Sequence, residues 1–341
     1  MLKAAWCPYQ LRFRFEARTS RATMAVKDTY FIRITDDNDP AAPPRYGECA
    51  LFRGLSADDR PDYEARLAEA CRNPVAALDS PLSSIRFGFE TALAQPPHGQ
   101  WAEGKAGIPI NGLVWMGDRQ TMASRIAEKI DAGFRVLKLK IGGIAFDDEI
   151  DLLKAVRREF SPDELEVRLD ANGSFAPGEA YDKLCRLAEF SIHSLEQPVK
   201  AGQPELMAKL CASSPIPLAL DEELIGMRSP QEARSLVSAI MPQYIILKPA
   251  LCGGLRASAE YAAIAAELGI GWWATSALES NIGLFSIAAW VDAAGNPAVQ
   301  GLGTGQLYFN NIPSTLELRG SRLFNNPELS APDLEHLPWR Q

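Results

Sequence analysis

Eight short apolar runs recur through the middle of the chain at nearly constant spacing. The runs are INGLVW, VLKLKI, EVRLD, HSLEQ, PLALDE, YIILKP, GWWATS and AVQGL, with centres near residues 113, 139, 168, 195, 220, 247, 274 and 300. Segments with helical periodicity lie between them, so the pattern is a strand–helix repeat of 25 to 29 residues. Eight βα repeats favour a closed parallel barrel. An open doubly wound sheet is the alternative, but no GxGxxG follows the first strand.

Helix boundaries within this repeat carry recognisable start and stop residues. Gly133 directly follows TMASRIAEKIDA and predicts a helix C-terminus there. Ser229 before Pro230 predicts an N-cap followed by a proline in the first turn. These signals support the assignment of the intervening segments as helices.

The first hundred residues have a different pattern. LRFRFE, TYFIRITD and RYGECALF alternate apolar and polar residues and predict a three-stranded meander. DYEARLAEACR and LSSIRFGFETALAQ then predict two helices. We therefore expect an α+β domain over residues 1–105, a barrel over 106–305 and a tail over 306–341 that packs back on the first domain.

Composition excludes several classes of function. The net charge of -8 argues against nucleic acid as the main partner. No run reaches the ~18 apolar residues of a membrane span, and the N-terminus lacks the apolar stretch of a signal peptide. The six cysteines form no CxxC pair. We expect a cytoplasmic protein that acts on a small molecule, with neither nucleic acid nor a membrane as partner.

Charged residues end five successive predicted strands. They are Lys140, Asp170, Glu196, Asp221 and Lys248, and Lys138 lies on the same strand face as Lys140. Their spacings of 30, 26, 25 and 27 residues match the barrel repeat. Because barrel active sites form at the C-terminal ends of the strands, three carboxylates should meet there with a lysine on each side.

Three neighbouring carboxylates repel one another unless a cation lies among them. Oxygen ligands without histidine or cysteine suit Mg²⁺ or Mn²⁺. The lysines would then serve as proton-transfer groups. Taken singly, each charge is a commonplace strand-end residue, and a purely structural set of ion pairs is the alternative. The joint pattern favours a catalytic metal site.

These motifs resemble the enolase superfamily and, within it, the muconate-lactonising subgroup. The matching residues are KxK at Lys138 and Lys140, DxN at Asp170 and Asn172, Glu196 in EQP, DE at Asp221 and Glu222, and Lys248 in KPALCGG. TSRATMAVKDTYFIRI, INGLVWMGD and TSALESNIGL further resemble the o-succinylbenzoate synthases of menaquinone biosynthesis. The resemblance implies a modified (β/α)8-type barrel, (β/α)7β, with an α+β capping domain formed by the N-terminal region and the C-terminal tail.

The resemblance also implies a reaction. Asp170, Glu196 and Asp221 would hold Mg²⁺, with Mn²⁺ as the alternative, and the ion would bind the substrate carboxylate. Lys140 would take the α-proton, and the same side chain would protonate the departing hydroxyl. The expected outcome is a syn dehydration of 2-succinyl-6-hydroxy-2,4-cyclohexadiene-1-carboxylate to 2-succinylbenzoate through an enediolate.

Four further residues take supporting roles in this expectation. Lys248 would stay cationic and stabilise the enediolate, partly by a cation–π contact with the ring. Lys138 would be the electrostatic neighbour of Lys140. Asn172 and Glu222 would orient the ligands and lysines, with ordinary structural hydrogen bonds as the alternative.

Specificity is expected from the capping domain and from the loop after the seventh strand. Residues 19–24 have the composition of a lid that excludes water, although a plain surface turn is possible. Ser276, Asn281 and Gly283 would donate hydrogen bonds to the succinyl carboxylate. Ser276 could instead be the N-cap of the next helix.

Three tryptophans are candidate ring-stacking partners. They are Trp115, Trp272 and Trp273. Large apolar residues in barrel strands usually belong to the core, so we expect the last two to be core residues.

Other functions stay open at this point. N-acylamino acid racemases, dipeptide epimerases and muconate cycloisomerases of the same superfamily share most of these residues. A Schiff-base aldolase on a barrel would use Lys248 or Lys140 as nucleophile, but the three carboxylates argue against it. A non-catalytic metal-binding barrel leaves the paired lysines unexplained.

Overall fold

The computed structural model describes residues 1–18, 23–227 and 229–341. The capping domain begins with an antiparallel meander of β1 (Leu2–Arg18), β2 (Thr23–Asp36) and β3 (Arg45–Cys49), in the order β1-β2-β3. Helices α1 (Tyr63–Arg72) and α2 (Ser83–Leu93) share a buried apolar core with this sheet. The predicted α+β unit is confirmed, and its first strand is longer than expected because residues 2–10, which do not alternate, also pair with β2.

A second sheet forms the barrel, preceded by the two-residue strand β4 (Ile108–Pro109). Within the described residues its parallel strands are β5 (Gly112–Val114), β6 (Val136–Lys140), β7 (Glu166–Asp170), β8 (Ser194–Glu196), β9 (Leu218–Leu220), β10 (Tyr244–Leu247) and β11 (Gly271–Ala274). The helices that follow them are α3 (Arg119–Asp131), α4 (Phe146–Glu159), α5 (Ala180–Ala188), α6 (Pro204–Ser213), α7 (Pro230–Ile240), α8 (Gly254–Glu267) and α9 (Asn281–Ala294). Each strand pairs with the next along the chain, as a barrel of βα units requires.

The eighth predicted strand is reduced to two bridging residues. Gln300 pairs in parallel with Ile110, and its N–H donates to the carbonyl of Pro109 over 2.9 Å. Gly301 pairs in parallel with Thr275 at the other edge of the sheet. These bridges join the two edges, which agrees with the expected (β/α)7β barrel.

The alternation of side chains along the strands separates the core from the pocket. In β6, Leu137 and Leu139 are buried in the main apolar cluster, while Lys138 and Lys140 point to the opposite, inner face. The predicted start of α7 is confirmed, because Ser229 Oγ accepts a hydrogen bond from the N–H of Glu232 over 3.1 Å. No helix among the described residues has both the length and the apolar character needed to cross a bilayer.

The C-terminal segment touches both domains. Strands β12 (Leu316–Arg319) and β13 (Arg322–Asn325) form a small antiparallel sheet with β4. Beyond them, Arg340 forms an antiparallel bridge with Trp6 of β1, and Trp339 stacks on Tyr46 with ring centroids 6.1 Å apart. The domain boundaries near residues 105 and 305 stay a prediction.

Candidate active site

The charged residues of the repeat meet at one end of the barrel. Strand register places Lys140 opposite Asp170, and Asp170 opposite Glu196. Asp221 directly follows β9, and Lys248 directly follows β10. The charged residues at the ends of five neighbouring strands therefore lie together, as their spacing in the sequence predicts.

Three carboxylates form the centre of this group, which we call the acidic triad: Asp170, Glu196 and Asp221. One oxygen from each lies within 4.8 Å of the others, and all three residues are buried. Burial raises the pKa of Glu196 to about 7, against the lowering effect of Lys138 and together with repulsion from Asp170 and Asp221. The triad is thus a site of concentrated negative charge.

Lys138 lies between two members of the triad. Its Nζ contacts Glu196 and lies 3.0 Å from Asp170 Oδ2. Burial alone lowers the pKa of a lysine, but Asp170, Glu196 and Asp221 outweigh it and raise the pKa of Lys138 above its ordinary value. Lys138 is therefore a fixed cation.

Lys140 has a more open position. Its Nζ lies 2.9 Å from Asp170 Oδ2 and 2.9 Å from Asn172 Oδ1. The same nitrogen lies 5.9 Å from the centroid of the Trp115 ring. Lys140, Trp115, Asp170 and Asn172 all line one pocket. Lys140 is placed to reach a molecule in that pocket.

Lys248 approaches the triad from the other side. It contacts Asp221 and also lines the pocket. Burial lowers the pKa of its ammonium group, but Asp221 and Glu222 reverse this and raise the pKa above its ordinary value. The strands that carry the triad, β7 to β9, separate β10 from the strand of Lys140.

The donor set fits a divalent cation. Among the described residues, two buried triad oxygens, Glu196 Oε1 and Asp221 Oδ1, have no hydrogen-bond partner. A buried carboxylate oxygen without a partner is costly, and a cation removes that cost. Three carboxylates without nitrogen or sulfur ligands match the preference of Mg²⁺ and Mn²⁺.

Asn172 and Glu222 connect the two sides of the site. Asn172 has a left-handed backbone, with φ of 45°, and its N–H donates to Asp170 Oδ1 over 3.0 Å. Its Nδ2 donates to Glu222 Oε1 over 3.1 Å, while its Oδ1 accepts from Lys140. The amide therefore fixes the direction from which Lys140 enters the pocket.

Gln197 is a supporting residue that the sequence reasoning did not single out. It is fully buried with φ of 41°, and its Oε1 accepts from the N–H of Asp221 over 3.2 Å. It therefore holds the third triad residue at its strand end. The sequence feature that could have identified Gln197 is its position directly after Glu196, at the end of an apolar strand segment and before Pro198.

Both domains enclose the pocket. The capping domain contributes Met24 and residues 52–55, and the barrel contributes the lysines, Leu113, Trp115 and residues 275–278. The predicted lid falls mostly on residues 19–22, which lie outside the described residues. The described end of that segment, Met24, lines the pocket.

A sequence model of the family described as Enolase C-terminal domain-like matches residues 121–321. The chain belongs to the enolase superfamily. The matched range includes the acidic triad and all three lysines beside it.

Relatives within the superfamily cover nearly the whole chain. An o-succinylbenzoate synthase from Desulfotalea psychrophila is 40% identical over an alignment of 358 positions, which spans 92% of this chain and 96% of the relative. The crystal structure of MenC from Desulfotalea psychrophila matches with a TM-score of 0.83 and 36% identity, over 95% of this chain and 99% of that chain. The L-Ala-D/L-Glu epimerase from Bacillus subtilis has the same fold, with a TM-score of 0.82 and 18% identity, over 97% and 99% of the two chains.

Among the predicted specificity residues of this superfamily member, Ser276 lines the pocket. Its Oγ donates to Glu279 Oε2 over 2.6 Å and accepts from the N–H of Leu278 over 2.8 Å. The N-cap of α9 is Ser280, whose Oγ accepts from the N–H of Ile282 over 3.1 Å. The alternative interpretation of Ser276 as that N-cap is wrong, because the loop continues four residues further.

Asn281 and Gly283 do not line the pocket. Asn281 Nδ2 donates to the carbonyl of Ile312 over 2.7 Å. The N–H of Gly283 donates to Glu48 Oε2 over 3.0 Å. The structure does not bring these two groups to the expected succinyl carboxylate, because both are engaged in contacts with the tail and the capping domain.

Trp273 is a core residue, as expected, whereas Trp272 is half-buried and packs against the main apolar cluster. Trp273 is buried beneath the guanidinium of Arg168, which lies 4.5 Å from its ring centroid. Trp272 packs on Trp290 with centroids 5.3 Å apart. Of the three, Trp115 lines the pocket.

Proposed function

We propose that this protein is an o-succinylbenzoate synthase that dehydrates 2-succinyl-6-hydroxy-2,4-cyclohexadiene-1-carboxylate to 2-succinylbenzoate, with Mg²⁺ as cofactor. The observation that carries the proposal is the buried acidic triad flanked by Lys140 and Lys248. Similarity to the Desulfotalea synthase over nearly the whole chain supports this substrate over those of other superfamily members. A place in menaquinone biosynthesis and in the cytoplasm is part of the proposal.

Asp170, Glu196 and Asp221 would hold the ion. When bound, a divalent cation would neutralise the substrate carboxylate and the further negative charge that grows on it as the α-proton leaves. Lys138, fixed as a cation between Glu196 and Asp170, adds positive charge on the same side. The substrate carboxylate is thereby directed to the triad end of the pocket.

Lys140 is the proton-transfer group of the proposed reaction. Its Nζ lies 2.9 Å from both Asp170 Oδ2 and Asn172 Oδ1, and an amine that donates to these two acceptors would keep its lone pair for a substrate proton. The amine takes the proton from C1 of the ring, and the electron pair of that C–H bond moves toward the carboxylate. The C6–O bond then breaks, the ring becomes aromatic, and the ammonium returns its proton to the departing hydroxide as water.

Lys248 acts from the opposite side and does not need to transfer a proton. Its raised pKa keeps it cationic near neutral pH. A fixed ammonium facing the enediolate stabilises the negative charge where it develops. The same cation can contact the face of the diene ring.

A second candidate is an N-acylamino acid racemase or dipeptide epimerase. The observation that favours it is a lysine on each side of the triad, which allows a proton to leave from one face and return to the other. Loss of a proton without loss of water would then be the whole reaction. A cycloisomerase uses the same intermediate and is distinguished by its substrate.

Turnover by the purified protein tests the proposal. We expect 2-succinylbenzoate to form in the presence of Mg²⁺, to stop after treatment with EDTA, and to resume when Mg²⁺ is restored. α-Deuteration of an N-succinylamino acid in D₂O without any dehydration would establish the second candidate instead. Trapping of a carbonyl substrate by borohydride would point to a Schiff-base lysine.

A further inference from the structure

A second group of buried charges lies between the capping domain and the barrel. Lys27 of β2 is 5% exposed, and Glu48 of β3 and Glu279 of the loop before α9 are 0% exposed. We call these three residues the cap-side cluster. None of them lines the active-site pocket. Burying a charge is costly unless the charge is paired or hydrogen-bonded, so the contacts of these three residues should explain why they are buried.

Glu48 binds the start of α9 from the other domain. Its Oε2 accepts from Ser280 Oγ over 2.6 Å and from the N–H of Gly283 over 3.0 Å. Its Oε1 accepts from the N–H of Ser280 over 3.0 Å and from Thr29 Oγ1 over 2.8 Å. A carboxylate at a helix N-terminus satisfies free N–H groups and interacts favourably with the helix dipole. One side chain thus fixes the barrel helix to the capping sheet.

The helix side of this contact requires a glycine. A Cβ on residue 283 would lie 2.7 Å from Glu279 Cγ and 3.0 Å from Glu48 Oε2. Both distances are too short for a methyl group. Gly283 therefore allows both carboxylates of the cluster to approach the first turn of α9.

Glu279 extends the contact to the wall of the pocket. Its Oε2 accepts from Ser276 Oγ, which in turn accepts from the N–H of Leu278. Leu278 has φ of 64°, a left-handed conformation that leucine rarely adopts, and Tyr308 donates to its carbonyl over 2.8 Å. Residues 276–278 line the pocket. The wall is thus held in a strained shape from behind.

Lys27 supplies the counter-charge of the cluster. Its Nζ has no hydrogen-bond partner within the described parts of the chain, and neither has Glu279 Oε1. Burial lowers the pKa of Lys27, while Glu48, Glu279 and Asp28 act in the opposite direction. Lys27 therefore interacts with the two glutamates through charge and not through hydrogen bonds, whereas Glu48 makes the hydrogen bonds that join the two domains.

We propose that Glu48 is a positioning residue that fixes the wall formed by residues 276–278, and that this wall holds the succinyl side chain of the substrate. The assignment of the side chain rests on the proposed function. The wall follows β11 at one edge of the sheet, whereas the triad lies on β7 to β9. A substrate whose ring carboxylate is at the triad must direct its other substituent away from it.

The test compares two ligands on the Mg²⁺-bound protein. 2-Succinylbenzoate carries the side chain, and benzoate has the same ring carboxylate without it. In Glu48→Gln an amide NH₂ replaces one acceptor oxygen and faces N–H donors, so the wall loses its support. We expect the Kd of 2-succinylbenzoate and the KM of the substrate to rise roughly tenfold, with kcat within about twofold and the Kd of benzoate unchanged.

Two further variants control for loss of stability. Asp58 is buried within the capping domain and accepts from the N–H and Oγ of Ser84, both over 2.7 Å, so Asp58→Asn removes a similar carboxylate without touching the wall. We expect Asp58→Asn to lower Tm but to leave the ratio of the two Kd values unchanged. Ser280→Ala removes one donor to Glu48 and should change the ratio in the same direction by a smaller factor.

Equal weakening of both ligands in Glu48→Gln, or a change of ratio in Asp58→Asn, would overturn the positioning role. An unchanged ratio in both Glu48→Gln and Ser280→Ala would do the same. Binding is measured separately from turnover, so failure of the proposed reaction is recognised independently. If the wild type binds 2-succinylbenzoate but does not dehydrate the substrate, the function fails while the role of Glu48 is still decided by the Kd ratio.

Discussion

The acidic triad with its lysines and the cap-side cluster both bury carboxylates beside ammonium groups, but they are built differently. In the active site, lysines bond directly to the carboxylates, as Lys140 does to Asp170. In the cap-side cluster, Glu48 is held by neutral N–H and O–H donors, and Lys27 makes no hydrogen bond among the described residues. Direct charged pairs make protonation responsive to neighbouring groups, whereas neutral donors fix geometry. The first group is suited to chemistry and the second to positioning.

The largest effect should come from Lys140. Lys140→Ala removes the group that we propose takes and returns the proton, so kcat should fall by a factor on the order of 10³–10⁴, measured by formation of 2-succinylbenzoate. Lys140→Arg keeps the positive charge but not a group that can accept a proton near neutral pH, so it should be nearly as inactive. Substantial activity in the arginine variant would show that charge alone suffices at this position.

A smaller effect is expected from the loss of one triad carboxylate. Asp221 Oδ1 has no hydrogen-bond partner among the described residues and is free to bind the ion. Asp221→Asn removes the negative charge of this ligand, so the affinity for Mg²⁺ should fall by about 100-fold. Titration of Mg²⁺ with Tm as the readout measures this without turnover. Asp58→Asn is the matched control and should keep the wild-type response to Mg²⁺. An unchanged Mg²⁺ affinity in Asp221→Asn would place the ion elsewhere.

The pH dependence of stability should report on Glu279. Burial raises its pKa to about 7 from an ordinary value of 4.5, so the folded state holds a proton that the unfolded state has lost between these pH values. The free energy of unfolding must then decrease as pH rises from about 4.5 to about 7. Glu279→Gln should remove roughly 2–3 kcal/mol of that decrease, measured by urea unfolding at pH 5 and pH 8.

The companion variant for this measurement is Glu149→Gln. Glu149 lies in α4 of the barrel, and burial also raises its pKa to about 7. The two substitutions should flatten the pH profile additively, because the residues belong to separate parts of the molecule. A profile for Glu279→Gln that parallels the wild type would mean that Glu279 does not titrate in this range.

The smallest effect should come from the glycine at the helix start. Gly283→Ala places a methyl group against Glu279 and Glu48, so the free energy of unfolding should fall by about 1–2 kcal/mol. Gly178 has no atom within 4 Å of a built Cβ, and Gly178→Ala should stay within about 0.5 kcal/mol of the wild type. Chemical denaturation of both proteins checks the pair. Equal losses would indicate a backbone effect rather than close packing.

The barrel and its charged strand ends were predictable because the information is periodic. Each of Lys140, Asp170 and Glu196 ends a strand, and strand register alone brings them together. Local signals also fixed single features, such as the N-cap at Ser229. Where a property depends on spacing along the chain, sequence reasoning reached it.

The cap-side cluster was not predictable, because its contacts join distant positions. Glu48 and Ser280 are 232 residues apart in the sequence, and each looks like an ordinary polar residue in a strand or loop. The sequence shows that Gly283 has no side chain, but it does not show that the Glu48 and Glu279 side chains pack against it. The placement of Asn281 failed for the same reason, since its partner Ile312 lies in the tail.

The two-residue bridge at Gln300 and Gly301 has a wider consequence. The three triad carboxylates and the three lysines beside them lie on β6 to β10 or directly after these strands, so a chain that ended before residue 300 would still contain all six. Gly301, Gly303 and Thr304 nevertheless line the pocket. The last segment therefore contributes to the pocket wall: the contacts that close the barrel also enclose the space in which the proposed enediolate would be shielded from water.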